Sequence, residues 1–209
     1  MSMKTFDVAA LTIPQKMLLF QAGIAPRPIA FVSTISADGI NNLAPFSFFN
    51  IFGVNPVIVG FSPSRRGRDG TLKDTYNNLM ATKECVIQVV THALVHKSNL
   101  ASKEFPASVD EFKETGLTPI ASELVKPFRV KESPFQMECR LNQMIPLGNG
   151  PGSGNLALCE VLKLHVSEAV MSEGNAHQID PHKLDLVARM GQDFYARASG
   201  AAVFAVKKP

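Results

Sequence analysis

The sequence RPIAFVSTISADGINNLAPFSFFNIFGVNPVIVGF, residues 27–61, decides the fold class of the chain. Pro28 fixes its own φ angle and favours an extended conformation at Arg27, which is typical of the start of a strand. The pair Asp38-Gly39 is typical of a tight turn between two antiparallel strands. The stretch therefore predicts consecutive strands over residues 29–36, over 40–50 with a local break at Pro45, and over 57–61.

Four of the 14 phenylalanines fall within seven residues of this stretch, next to small polar side chains. Because side chains alternate across a strand, we expect Phe46 and Phe48 on one face and Ser47 and Phe49 on the other. One face can fill a β core while the opposite face lines a binding site for a flat ring. The pattern alone leaves open which face has which role.

The remaining segments predict a mainly antiparallel β barrel with a few peripheral helices. The glycine-rich residues 148–154 join two strands and lack the spacing of a dinucleotide-binding loop, so they indicate a hairpin connection. Further strands are predicted over residues 84–91, 135–142 and 156–171. Helices are predicted over residues 71–82 with Thr71 or Asp74 as the cap, over 92–102 and 110–116, and in part of 180–195.

Composition indicates a globular protein and excludes several functional classes. Hydrophobic residues make up 45% of the 209 residues and charged residues 19%, which is far from a disordered composition. A net charge of +3 is too small to favour nucleic acid or a membrane surface as a partner. Three scattered cysteines and the lack of a signal-peptide core predict a cytoplasmic protein. The length of 209 residues predicts a single domain, residues 1–209, in which about 20 N-terminal residues and the C-terminal tail are peripheral.

The loop after the third predicted strand is the best candidate for a phosphate site. Residues 62–68 contain two serines and three arginines, and Lys73 and Thr75 follow shortly afterwards. Guanidinium groups bind phosphate through charge-assisted hydrogen bonds, each with a net value of about 1.5–3 kcal/mol. A solvated basic loop is the alternative interpretation. Combined with a flat-ring site at the phenylalanine cluster, a phosphate site would describe flavin mononucleotide (FMN).

Other constellations in the sequence favour ordinary structural roles. His92 and His96 are four residues apart, as metal ligands on a helix can be, but no acidic third ligand lies near them. Solvated or packed histidines are therefore the preferred interpretation. The sequence contains no G-x-S-x-G motif, and no serine or cysteine has flanking residues that would activate it as a nucleophile. We therefore predict no residue that acts as a chemical catalyst, and no metal site.

Seven segments in order carry a resemblance to a known family: RPIAFVST (27–34), DGINNLAPFSFFN (38–50), NPVIVGFS (55–62), DTYNNL (74–79), DEFKETGLT (110–118), SPFQMECRL (133–141) and VARMGQDFY (187–195). No single segment is specific, but the ordered series resembles the flavin reductase-like FMN-binding split-barrel family, particularly its flavoredoxin-like branch. The resemblance implies a six-stranded antiparallel Greek-key split barrel with peripheral helices. It also implies a homodimer with FMN near the dimer interface.

The resemblance further implies which residues contact FMN. The NLAPFSFF segment would lie along the flavin ring, and Ser62 and Ser64 would lie beside the phosphate. Arg65 or Arg66 is the expected phosphate cation, and Arg189 is expected near the flavin or the dimer interface. The complete expected set is Ala44, Pro45, Phe46, Ser47, Phe49, Asn50, Ser62, Ser64, Arg65, Arg66, Lys73, Thr75, Asn78 and Arg189.

Two functions are consistent with these residues. The first is an NAD(P)H-dependent oxidoreductase that passes electrons through FMN to an acceptor, in which the protein supplies position and electrostatics rather than an acid–base triad. The second is an FMN-containing electron carrier that receives its electrons from a redox partner protein. A third possibility, a binding or structural barrel with a vestigial flavin site, would leave the purified protein colourless. The motifs are shared by the first two functions, so the sequence does not separate them.

Overall fold

The computed structural model describes residues 1–208. Within them, the chain forms a mainly antiparallel β structure with short helices around it. The helices are α1 (Ile13–Gly23), α2 (Asp74–Thr82), α3 (Val95–Leu100), α4 (Glu111–Thr115) and α5 (Pro181–Leu184). The strands are β1 (Ala30–Ile35), β2 (Asn41–Phe46), β3 (Phe49–Val54), β4 (Val57–Phe61), β5 (Glu84–Val89), β6 (Pro119–Ile120), β7 (Arg129–Val130), β8 (Phe135–Pro146), β9 (Asn155–Val166), β10 (Leu186–Gly191) and β11 (Phe194–Ala198).

Seven strands form one sheet in the order β2-β1-β5-β8-β9-β4-β3, with every neighbouring pair antiparallel. β2 and β3 lie at opposite ends of this order, although only two residues separate them in the chain. The sheet must therefore curl until its two edges approach each other, which produces a split barrel. The predicted fold class is confirmed.

The predicted return strand over residues 40–50 is in fact two strands, and the break lies at residues 47–48 instead of at Pro45. The Leu43 N–H points away from β1 and donates to the Glu111 carboxylate at 3.0 Å. Alternate residues of an antiparallel strand direct their backbone groups to the same side, so Pro45 faces the free edge of the sheet and needs no N–H. The extra break gives the sheet seven strands instead of six.

The same break overturns the predicted orientation of the phenylalanines. Phe46 is 5% exposed, and Phe49 packs against the same core inside the barrel. Phe48 is 49% exposed and lies where the chain turns from β2 to β3. Because the chain turns there, the alternation of a single strand does not continue through residues 46–49. Phe46 and Phe49 therefore share a core that was predicted to contain only one of them.

Hydrophobic cores lie on both faces of β1. Ala30 and Val32 belong to the core inside the barrel, whereas Phe31 belongs to a second core outside it. The outer core includes Leu94, which precedes α3, and Phe112, which lies within α4. Their burial holds the α3–α4 segment against the outside of β1 and β2. This packing places a helical segment beside the free edge of β2.

The C-terminal tail is less helical than predicted for residues 180–195. Only the short helix α5 forms there, and the hairpin of β10 and β11 follows it. Asp185 and Gln192 have φ angles of 50° and 47°, which end the helix and close the hairpin turn. The hairpin is attached to the barrel by a backbone bridge between Arg27 and Arg189. Arg189 therefore lies close to the start of β1.

Helix α1 lies on the outside of the structure and contributes no buried residue. Thr12 and Gln15 form a capping box at its start, which satisfies two backbone donors. Met17, Leu18 and Phe20 are exposed. None of the helices within residues 1–208 has the length and apolar character needed to cross a membrane.

Candidate functional site

A groove follows the free edge of β2. Its wide end is a cavity of about 340 Å³, and its narrow end is a smaller cavity of about 50 Å³. Ser102, which follows α3, lines both cavities and therefore joins them. β2 contributes one wall of the groove, and the segment between α3 and α4 contributes the opposite wall. The groove exists because the outer core holds these helices beside an edge strand.

The wide end of the groove combines flat and polar surfaces. Pro45 and Ser47 line it from the barrel side, and Arg189 and Tyr195 line it from the C-terminal hairpin. The Arg189 guanidinium carbon lies 4.6 Å from the centroid of the Tyr195 ring, a cation–π distance. The Tyr195 hydroxyl lies 3.4 Å from the side-chain oxygen of Asn99 in α3. These contacts fix a planar surface at the end of the groove.

The narrow end of the groove is lined by Arg66 and Lys73. Arg66 forms an ion pair with Asp74, at 3.2 Å between Nη2 and Oδ2. The Lys73 ammonium lies 5.3 Å from the centroid of the Phe46 ring, and no carboxylate of residues 1–208 is within ion-pair distance of it. Burial, followed by the nearby Arg66, lowers the pKa of Lys73, while Glu104 acts in the opposite direction. Lys73 is partly buried, and an ammonium in such a place without a carboxylate partner favours the approach of an anion.

The N-terminus of α2 opens into this narrow end. The helix begins at Asp74, later than the predicted residue 71, and Lys73 occupies the cap position. No side chain caps the first turn, so neither Thr71 nor Asp74 acts as the predicted cap. Backbone N–H groups in the first turn of a helix bind anions, and the helix dipole adds to the attraction. Lys73 and the uncapped turn therefore act in the same direction.

A hydrogen-bond network beneath the groove holds α2 against β2. The Asn42 amide donates to Thr75 Oγ1 at 2.9 Å and to Thr34 Oγ1 at 3.1 Å. The Asn78 amide donates to the same Thr34 oxygen at 3.1 Å. Because the Thr75 hydroxyl accepts from Asn42, its own proton is directed elsewhere, and Thr75 lines the groove. Asn78 is buried below this layer and supports it.

A protonatable carboxyl lies at the narrow end. Glu111 is buried at the start of α4 and accepts the Leu43 N–H of β2. Burial raises the pKa of Glu111 to about 7, with smaller contributions from Asp74 and Asp110, whereas the Leu43 hydrogen bond acts in the opposite direction. Near neutral pH this carboxyl therefore carries only part of a negative charge. The narrow end is consequently less acidic than its residue types suggest.

The structure brings seven of the 14 predicted site residues into the groove. Three of them line the wide end and four line the narrow end, where Ala44, expected along the flavin ring, lies beside three residues expected at the phosphate. The wide end contains Pro45, Ser47 and Arg189. The narrow end contains Ala44, Arg66, Lys73 and Thr75.

Three predicted residues lie in the loop after β4, outside the two cavities. The Ser62 and Ser64 hydroxyl oxygens are 3.0 Å apart, and Ser62 accepts the Asn155 N–H at 3.2 Å. Arg65 donates from its backbone to the Ser153 carbonyl and from its side chain to the Gly70 carbonyl, each at 2.9 Å. These bonds attach the loop to the glycine-rich hairpin connection. They also direct Arg65 away from the groove that Arg66 lines.

The other four predicted residues support the groove or lie apart from it. Phe46 is buried under Lys73, and Asn78 belongs to the network beneath Thr75. Phe49 packs against the inner core. Asn50 is exposed and accepts the N–H of the next residue, Ile51, at 2.9 Å.

Sequence interpretation missed the wall opposite β2. Ser98, Asn99 and Ser102 line the wide end, and Lys103, Glu104 and Phe105 line the narrow end. Tyr195, at the end of the segment 187–195, lines the wide end as well. These residues belong to no local motif, and only the packing of the outer core brings them to β2. Nothing in their immediate sequence would have identified them.

Comparison with known proteins agrees with this geometry. The family model described as "Flavin reductase like domain" matches residues 22–180. An uncharacterized protein of Aquifex aeolicus is 38% identical over 85% of this chain and 87% of its own. Nitrilotriacetate monooxygenase component B from Bacillus cereus has a TM-score of 0.90 at 30% identity, over 98% of this chain and 99% of that one.

A more distant structure shares the fold alone. Flavoredoxin of Desulfovibrio vulgaris (Miyazaki F) has a TM-score of 0.72 at 20% identity, over 98% of this chain and 97% of that chain. The family match covers more than half of the chain and includes β1 to β9, α2 and the segment between α3 and α4. These are the elements that build the groove, apart from the C-terminal hairpin. The chain therefore belongs to the flavin reductase-like family.

Proposed function

We propose that the protein is an FMN-dependent oxidoreductase of the flavin reductase type, which passes electrons from NAD(P)H through FMN to an acceptor. Residues 1–209 would act as one FMN-binding domain. The observation that carries the proposal is the groove along β2. It combines a partly buried lysine and an uncapped helix N-terminus at one end with planar and hydroxyl-bearing residues at the other.

The narrow end suits the phosphate of FMN. Its charges balance as follows: Arg66 is paired with Asp74, Glu104 is paired with Arg68, and Glu111 is partly neutral. Lys73 and the exposed Lys103 are then the uncompensated cations, and Lys73 is the one that is partly shielded from solvent. A phosphate monoester carries a charge of roughly −1.5 to −2 at pH 7, so it would satisfy Lys73, the first turn of α2 and the Thr75 hydroxyl together. This chemistry favours Lys73 and Arg66 as the phosphate cations.

Arg65, Ser62 and Ser64 fit a supporting role in this proposal. Their hydrogen bonds join the loop after β4 to the glycine-rich connection, and that loop carries Arg66 into the groove. The Arg65 Nε is buried without a hydrogen-bond partner, which costs about 1–3 kcal/mol. The hydrogen bonds of Arg65 to the Ser153 and Gly70 carbonyls hold the backbone of the loop and offset this cost. We therefore propose Arg66, rather than Arg65, as the arginine that contacts phosphate.

The wide end suits the flavin ring. β2 is an edge strand there. Leu43 and Pro45 are alternate residues of β2, so the Pro45 carbonyl faces the same free edge as the Leu43 N–H. Such unpaired backbone groups can accept hydrogen bonds from the polar edge of a ring. Ser47 supplies a hydroxyl on the same side, and the Arg189 guanidinium supplies a positive charge close to the ring. A positive charge near a flavin stabilises its reduced, anionic form.

The residues of the groove act by positioning rather than by covalent chemistry. FMN, when bound, would supply the two-electron chemistry that links a hydride donor to an acceptor. Lys73, Arg66 and the α2 N-terminus would anchor the phosphate and so fix the ring in the wide end. Tyr195 and the α3 segment would exclude water from one side of that end.

Exposed apolar side chains on α1 and β3 support a homodimer. Leu18 and Phe20 of α1 and Ile51 and Phe52 of β3 are all exposed, although monomeric proteins rarely leave large apolar patches uncovered. A two-fold symmetric interface is the commonest way to cover such a patch. Leu18→Glu should then produce a monomer in sedimentation experiments, whereas Lys113→Glu on the surface of α4 should not. Wild-type protein that sediments as a monomer at micromolar concentration would contradict the dimer.

Two measurements test the proposed function. Addition of FMN to the purified protein should quench flavin fluorescence with one flavin per chain, because the wide end shields the ring. NADH or NADPH should then be consumed in the presence of FMN and an artificial electron acceptor. Protein that binds FMN but consumes neither donor would instead be an electron carrier. Protein that does not bind FMN would contradict both flavin functions.

A further inference from the structure

A third cavity adjoins the wide end of the groove. It has a volume of about 440 Å³ and shares Asn99, Asp193 and Tyr195 with the wide end. His92 and His96 line it from the helical segment after β5. We call this space the histidine cavity. The two histidines, four residues apart in the sequence, therefore line a space that adjoins the proposed flavin site.

The histidine cavity does not have the composition of a metal site. Within residues 1–208, no three histidine, cysteine or acidic side chains converge closely enough to hold a metal ion. The nearby Arg197 is occupied by Asp185 through bonds of 2.7 and 2.8 Å. His92 and His96 are exposed. Neither forms an ion pair with a carboxylate of residues 1–208. An imidazole N–H can donate a hydrogen bond to a phosphate oxygen.

The floor of the histidine cavity is apolar. Val95 and Val187 line it together with the Tyr195 ring. Tyr195 is held in place by Arg189 on one side and by Asn99 at its hydroxyl. A space that combines imidazoles at its rim with aliphatic and aromatic side chains matches a ligand that has both phosphates and a flat base.

We propose that the histidine cavity binds the adenosine-phosphate half of the nicotinamide donor, with His92 and His96 contacting its phosphate oxygens. This inference rests on the proposed NAD(P)H-dependent function. A donor whose nicotinamide lies over a flavin in the wide end has two directions in which to extend. The narrow end is occupied by the FMN phosphate in that arrangement, so the donor continues past Tyr195 into the histidine cavity.

The test compares three donors with the FMN-loaded full chain: NADPH, NADH and reduced nicotinamide mononucleotide, which lacks the adenosine half. The wild type should show a higher kcat/KM with both dinucleotides than with the mononucleotide. The double variant His92→Asn/His96→Asn should reduce that preference by about ten-fold or more, mainly through KM, because it removes both imidazole hydrogen-bond donors. His182→Asn, an exposed histidine in α5, is the matched control and should keep the preference.

Each outcome distinguishes the inference from the function on which it rests. A loss confined to NADPH would assign the histidines to its 2′-phosphate, and a loss with both dinucleotides would assign them to the pyrophosphate. An unchanged preference, an equal loss with all three donors, or a wild type that uses the mononucleotide equally well would overturn the histidine cavity while leaving the reductase intact. Failure of all three donors to reduce bound FMN would overturn both proposals.

Discussion

Replacement of Lys73 by methionine should weaken FMN binding about 10- to 150-fold. Methionine keeps most of the aliphatic packing against Phe46 and removes the charge. The ammonium is partly buried and has no carboxylate partner among residues 1–208, so the phosphate would be its main counter-charge. One charge-assisted hydrogen bond has a net value of about 1.5–3 kcal/mol, which corresponds to this range of dissociation constants.

Riboflavin provides the internal control for this prediction because it lacks the phosphate. The dissociation constants of FMN and riboflavin can both be measured by quenching of flavin fluorescence, in wild type and in Lys73→Met. The variant should lose its affinity for FMN and retain its affinity for riboflavin. Lys113→Met, in the exposed part of α4, should change neither value. Equal losses for the two flavins, or an unchanged affinity for FMN, would refute the assignment of the phosphate to Lys73.

Three further predictions follow from the same geometry. Arg66→Met should weaken FMN binding without affecting riboflavin, whereas Arg65→Met should lower the melting temperature and affect both flavins similarly, because only Arg66 lines the groove. Glu111 has its pKa raised to about 7 in the folded state, so its stabilising neutral form is complete below pH 4.5 and is lost as the pH rises through 7. Relative to Glu111→Gln, the wild type should therefore lose about 1–3 kcal/mol of unfolding free energy over that interval in urea titrations; parallel pH profiles would contradict this. Phe31→Ala should cost about 3–5 kcal/mol in the same assay, since this side chain is completely buried in the outer core; a cost below about 1 kcal/mol would contradict that packing.

The sequence predicts the strands of the barrel well because their alternation and turn residues are local. Asp38-Gly39 marks the β1–β2 turn, and Gly39 has the positive φ angle of 83° that such a turn requires. Pro45 shows the limit of local reasoning. A proline interrupts a central strand but is harmless on an edge strand whose N–H would face outward. Only the order of strands in the sheet reveals that β2 is such an edge.

The candidate site was predictable in part for the same reason. Ala44, Pro45 and Ser47 lie in one continuous segment, so a resemblance could identify them together. Lys73 could be proposed from its charge alone. Its surroundings in the groove include the Phe46 ring and the Glu104 carboxylate, which are distant in sequence. The α3 wall of the groove is positioned by a core that forms across the whole chain. Contacts of that kind leave no local pattern.

The most direct test of the proposed function is anaerobic titration of the FMN-loaded protein with NADPH and with NADH. Oxidised flavin absorbs at about 450 nm, and this band disappears when the flavin takes up two electrons. We expect at least one donor to bleach the band stoichiometrically, at one equivalent per bound FMN, and readmitted oxygen to restore it. A bound flavin that keeps its oxidised spectrum with excess NADPH and NADH, while dithionite reduces it, would contradict the reductase.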